Sequence, residues 1–146
     1  MKKLLIIYIM FSLSIMGAVP ISPIADVNQL PAAAYISGVV GHAQSYALSC
    51  ESRSATDLAN FWGISVTETG FFNSLPSNDD PEVGFVGDVN GQWGFTPPKP
   101  YGVHAKPIAK ALRAIGLDAT SRRGISFHDL KTEIAAGRPA IVWVIG

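Results

Sequence analysis

The chain has 146 residues, a formal net charge of zero and no long run of like charges. That length holds one domain and an N-terminal segment, and the charge balance excludes an electrostatic grip on nucleic acid or on an acidic partner. With 48% apolar and 15% charged residues, it is more apolar and less charged than an average soluble domain. A single cysteine excludes an internal disulfide and leaves a free thiol or an intermolecular link.

Residues 1–25 read as a secretory signal peptide or an uncleaved membrane anchor. Met1-Lys2-Lys3 is a short positive start, and no charge follows until Asp26. The lysines stay inside, so the remainder is expected outside the cytoplasmic membrane, secreted or tethered there. Cleavage sites are poor: cutting after Ala18 puts Met16 at the −3 position, and cutting after Ala25 puts Pro23 there. Residues 26–40 form a linker or lead-in, with a short strand expected over 35–41. His42 follows, read as an exposed loop histidine rather than a cleft residue.

The stretch Gln44-Ser45-Tyr46-Ala47-Leu48-Ser49-Cys50-Glu51 organises the rest. After it, Ala55, Leu58, Ala59 and Trp62 recur with the period of one helix face. Gly63 stands where a left-handed cap would end that helix. Cys50 therefore falls at or just before a helix start, where unpaired N–H groups and the helix dipole favour an anion and shift a thiol toward its nucleophilic thiolate. Gln44, six positions upstream, carries a neutral amide suited to stabilising an oxyanion.

Beyond Gly63, Ser65 or Thr67 can cap a short helix that brings in Phe71, Phe72 and Leu75. Residues 76–81 are a turn cluster. Residues 82–101 form a long loop rich in glycine, proline and aromatics. Its Asp88-Val89-Asn90 lacks the further ligands and distal glutamate of a calcium loop, so no metal is expected. Trp93 and Phe95 could receive substrate side chains or simply pin the loop to the body. The next helix starts near Pro107, with Ile108, Ala111, Leu112 and Ile115 on one face and Gly116 at its end. A short strand is expected over 117–120. Ser126 and Asp129 resemble a capping box for a third helix, whose Phe127, Leu130 and Ile134 would be buried. Residues 140–145 are a continuous run of mostly β-branched apolar residues, expected as a strand buried on both faces.

The Gln44/Cys50 pair followed by a helix resembles the papain-like cysteine peptidases. Together with "DPEVGFVGDVNGQWG", "PYGVHAKPIAKAL" and "GRPAIVWVIG", it is closest to bacterial peptidase C-thirty-nine-like domains, relatives of the bacteriocin-leader-processing peptidases. The resemblance covers 41–146. It implies an α+β fold, with an N-terminal helical part and the first strands of an incomplete antiparallel sheet. By it Cys50 is the nucleophile, Gln44 the oxyanion residue, and the 82–101 loop a flank of the cleft. Trp93, Phe95 and His104 are then substrate contacts. The base, in the papain-like order, is a histidine further on, followed by Asp or Asn; the domain is expected to be truncated before them. The partner implied is a peptide or protein, with no cofactor. Three readings follow: the front part of an exported cysteine peptidase, inactive as given; a degenerate module that binds peptides without cleaving them; or an unrelated envelope protein.

Overall fold

The structure is a computed structural model and describes residues 30–143. The segment read as a signal or anchor and the end of the last expected strand lie outside the described residues. Four helices are formed among them: α1 (Cys50–Phe61), α2 (Glu68–Asn73), α3 (Ala105–Ala114) and α4 (Phe127–Ala135). None of these is long and apolar enough to cross a membrane.

Helix α1 is central and packs against both α2 and α3. Its buried face is narrower than the apolar period suggests: Ser52, Ala55, Thr56 and Ala59 are inside, whereas Trp62 is exposed. Small side chains let the neighbouring elements approach closely, and the large residues come from outside the helix. Phe71 of α2 is fully buried there, with Leu48, Phe85, Val103, Ile108 and Leu112 completing the cluster. The hydroxyls of Ser52 and Thr56 are buried without a hydrogen-bond partner; each such group costs about 1–3 kcal/mol. Gly63 takes φ +79°, closing α1 in the left-handed conformation expected of it.

Thr67 caps α2, its Oγ1 accepting from Gly70 N at 3.1 Å. Helix α3 presents Ile108, Ala111 and Leu112 to the core as its periodicity requires. Helix α4 has both bonds of the Ser126–Asp129 capping box. None of its residues is buried, however, and Phe127 is exposed with Lys131 Nζ 4.8 Å from its ring centre. The expected inner face of α4 is corrected accordingly. Local capping suffices to start a helix, but burial needs an opposing surface.

The strands expected over 35–41, 117–120 and 140–143 are not formed, and the described residues are mostly helical with little strand. Pairing among them is confined to two isolated bridges, Ser77 with Phe85 and Val86 with Gly102. A β-branched run becomes a strand only when another strand accepts its ladder. Here the 140–143 segment instead lies along the core: Ile141 is half-buried against it, and Trp143 Nε1 donates to the Val103 carbonyl at 3.1 Å.

The long 82–101 loop is strapped down by its backbone. Val86 N donates to Gly102 O at 2.9 Å, Tyr101 N to Val86 O at 3.1 Å, and Leu48 N to Val89 O at 2.9 Å. Phe85 meets Phe72 edge-on at 4.9 Å between ring centres. The Asp88 carboxylate closes a local turn by accepting from Asn90 N at 2.9 Å. The loop therefore runs from the turn at Pro76, past the start of α1, and into α3.

Candidate active site

Cys50 is the first residue of α1, where the sequence placed it, and it is exposed. Ser49 precedes it as the N-cap, yet its side chain does not cap the helix. Its oxygen instead accepts from Tyr46 N at 3.2 Å, turned away from the helix N–H groups. Ser49 is buried, and its hydroxyl donates to Glu68 Oε1 at 2.5 Å.

Glu68 opens α2 and is itself buried. Besides Ser49 it accepts from Ser45 N at 2.9 and 3.0 Å and from Ser45 Oγ at 2.7 Å. Arg53 Nη1 lies 3.6 Å from its Oε2. Arg53 Nη2 in turn donates at 2.6 Å to Asp57, four residues along α1. Asp57 also receives His42 N at 2.9 Å and pairs with His42 Nδ1 at 2.8 Å. A chain of charges thus ties the 42–49 turn to α1 and α2. His42 is exposed, as expected, but it is not a free loop residue: Asp57 holds both its ring and its backbone N–H.

Burial alone would raise the pKa of both carboxylates. For Glu68 the bonds from Ser49 and Ser45, with the Arg53 charge, outweigh burial and hold it below the usual range. For Asp57 the His42 side chain and N–H, then Arg53, do the same. A carboxylate with a lowered folded pKa contributes stability that is present above its unfolded value. That contribution is lost as pH falls through the folded value. The urea midpoint is therefore expected to stay level from pH 8 to about 6 and to fall below about pH 4. The fall should be shallower in Asp57→Asn; an equally steep fall in that variant would show that Asp57 carries none of it.

Gln44 opens the 44–49 segment that leads into Cys50. Its Nε2 donates to Tyr46 O at 2.7 Å and to Ala47 O at 2.9 Å, so both amide protons are engaged within the turn. An oxyanion would have to draw one of them away. Cys50 Sγ donates to Glu51 Oε2 at 3.2 Å. Although Cys50 is exposed, protein packed along one side of the sulfur disfavours the charged form, the Glu51 charge adds to this, and the thiol is pushed up to about 11. This reverses the expectation from the helix start. The dipole favours thiolate by a fraction of a charge, whereas Glu51 places a full negative charge and an acceptor beside the sulfur.

The other carboxylate oxygen of Glu51 accepts from Val103 N at 3.3 Å. This draws the 102–104 segment against the start of α1. Gly102 makes that approach possible: it has φ +114°, and a Cβ there would stand 2.6 Å from Glu51 Oε1. His104, two residues on, is engaged elsewhere. Its Nδ1 pairs with Glu82, which Arg123 also contacts, and its Nε2 lies 3.1 Å from Tyr101 Oη. Trp93 is 82% exposed, and Phe95 carries Lys99 Nζ 5.0 Å from its ring centre. Gln44 thus stands at the start of the 44–49 segment that leads into Cys50, while His104, Trp93 and Phe95 make no hydrogen bond with either.

Glu51, Arg53, Asp57 and Glu68 do not stand out in the sequence as site residues. Arg53 and Asp57 had a signal, opposite charges four apart on a helix. Glu68 had only its place after a Thr cap.

The sequence matches the model of the Peptidase_C39 like family over residues 28–145. That span is most of the chain, and the chain belongs to this family; peptidase-like function is thereby supported at the family level. No curated protein and no solved structure matches it.

Proposed function

We propose that residues 41–146 are a papain-like cysteine peptidase domain that engages peptide or protein substrates, with Cys50 as nucleophile and Gln44 as oxyanion donor. One observation carries the reading. The only thiol stands on the first residue of the central helix, six residues after a carboxamide on the segment that leads into it, in a chain of a peptidase-like family. In the reaction Sγ attacks the scissile carbonyl carbon, and the amine leaves with a proton. Water then hydrolyses the resulting thioester and returns the thiol. Attack needs a base to take the Sγ proton. Sγ donates to Glu51, and none of the three histidines hydrogen-bonds to it. The chain by itself is therefore inactive or nearly so.

A second reading, peptide binding without cleavage, is favoured by the engaged Gln44 amide and the raised thiol. The positive start and apolar run of residues 1–25 support a location outside the cytoplasmic membrane, secreted or tethered.

The test is covalent labelling of the full chain by a peptidyl chloromethyl ketone and by iodoacetamide, alongside hydrolysis of fluorogenic peptides. Cys50 should be labelled by the peptidyl reagent, unlabelled peptide should compete, and no Cys50-dependent hydrolysis should appear. Labelling that peptides do not slow would overturn peptide recognition. Hydrolysis abolished by Cys50→Ala would overturn the inactivity of the isolated chain.

A further inference from the structure

One buried group touches both sides of the thiol–amide pair. Ser45 follows Gln44 in the chain, and Ser49 precedes Cys50. Glu68 holds both: Ser45 through its N–H and its hydroxyl, Ser49 through its hydroxyl. The Ser49 hydroxyl also accepts from Tyr46 N at 3.2 Å, inside the turn where Gln44 Nε2 is bonded. The clamp comes from a different helix and is 4% exposed. Burying a carboxylate is costly unless it is fully bonded. A surface serine or a backbone turn would have closed the loop without that cost. Arg53 of α1 compensates the charge and is itself fixed by Asp57. The carboxylate therefore joins three elements: the Gln44 turn, the start of α1 and the start of α2.

We propose that Glu68 is a positioning residue of this site. Its carboxylate sets the spacing of the Gln44 amide from the Cys50 thiol by gripping the chain neighbour of each. The proposal rests on the reading of Cys50 as nucleophile and Gln44 as oxyanion donor. It adds the part that aligns them. Glu68 takes no proton and touches no substrate; it acts through Ser45 and Ser49.

Two readouts in the full chain separate positioning from simple stability. The first is the pH profile of Cys50 alkylation by iodoacetamide. The second is solvent exchange of the Gln44 side-chain amide protons by NMR. In Glu68→Ala the turn loosens, and the protein packed along one side of the exposed Cys50 gives way further to water. Packing on one side of the sulfur is the leading reason for the raised thiol although Cys50 is exposed, so alkylation at pH 8 is expected to quicken about threefold, and the amide protons to exchange about tenfold faster. Glu68→Gln keeps one acceptor oxygen and should fall between Glu68→Ala and the native chain. Phe71→Leu is the comparator: it weakens the core seating of α2 without touching Ser45 or Ser49, and it should leave both readouts unchanged.

If the Glu68 variants fold and keep the native profile and exchange rate, the proposal is overturned. It is overturned equally if Phe71→Leu moves both readouts as far. Should the Glu68 variants fail to fold, Ser45→Ala, which removes only the 2.7 Å hydroxyl bond to Glu68, decides by the same two readouts. Iodoacetamide needs no peptide recognition. The parent reading can therefore fail, with peptides not competing at Cys50, while the Glu68 effect is still observed, and the converse failure is equally visible.

Discussion

Phe71→Ala is expected to destabilise the protein by about 3–5 kcal/mol, the usual loss for a fully buried aromatic. What decides the size is which element supplies volume to the core. The side chains that helix α1 buries there are small or polar, Ser52, Ala55, Thr56 and Ala59, with Leu58 only half-buried at the edge. Phe71 is the largest of the fully buried side chains and fills the space those residues leave. The alanines cannot move in to close a cavity, because their helix is also held by α3. Folded domains are stable by about 5–15 kcal/mol in all, so this one truncation removes a large share. Urea unfolding followed by tryptophan fluorescence measures it. Phe72→Ala is the control: Phe72 is half-buried and faces Phe85, and its loss should be clearly smaller. Equal losses at the two positions would mean that α2 is not seated as described.

The helices were legible in the sequence because their signals are local. The Cys50 helix, its glycine stop, the Thr67 cap and the Ser126 capping box each involve residues within a few positions of one another. The strands were not legible for the opposite reason. Residues 140–143 have the composition of a central strand, but a strand is a property of a pair, and composition does not provide the partner. The same distinction runs through the site. The thiol and the carboxamide are six residues apart, a spacing read directly from the sequence. Glu68 lies nineteen residues beyond Ser49, and Val103 lies fifty-two beyond Glu51. Nothing periodic connects them. The direction of the Cys50 shift is hidden from the sequence on the same ground. The helix dipole is visible from position alone, whereas the side-chain orientation that brings Glu51 back onto the sulfur is decided by what Glu51 meets on its other side, the Val103 N–H.

That two-sided contact gives the second large effect. Glu51→Gln is expected to lower the Cys50 pKa and to speed alkylation at pH 8 by about tenfold or more, since each unit of decrease raises the thiolate fraction about tenfold in that range. Burial around the sulfur remains in the variant, so the thiol should not fall to that of a free cysteine. Two contributions change: the negative charge beside Sγ disappears, and so does the acceptor that holds its proton. Gln keeps the shape of Glu and can still accept from Val103 N with its carbonyl oxygen. Its amide nitrogen then faces the sulfur as a donor, which favours thiolate where the carboxylate favoured thiol. The helix dipole at the first residue of α1, opposed in the native chain, then acts in the same direction. The measurement is the alkylation rate of Cys50 from pH 6 to 11 in the two chains, with thermal unfolding as a check on folding. A profile that shifts down in Glu51→Gln at unchanged stability identifies Glu51 as the group that keeps this thiol protonated. An unchanged profile would mean that burial alone does so, and that a base would meet the same resistance whatever residue follows the cysteine.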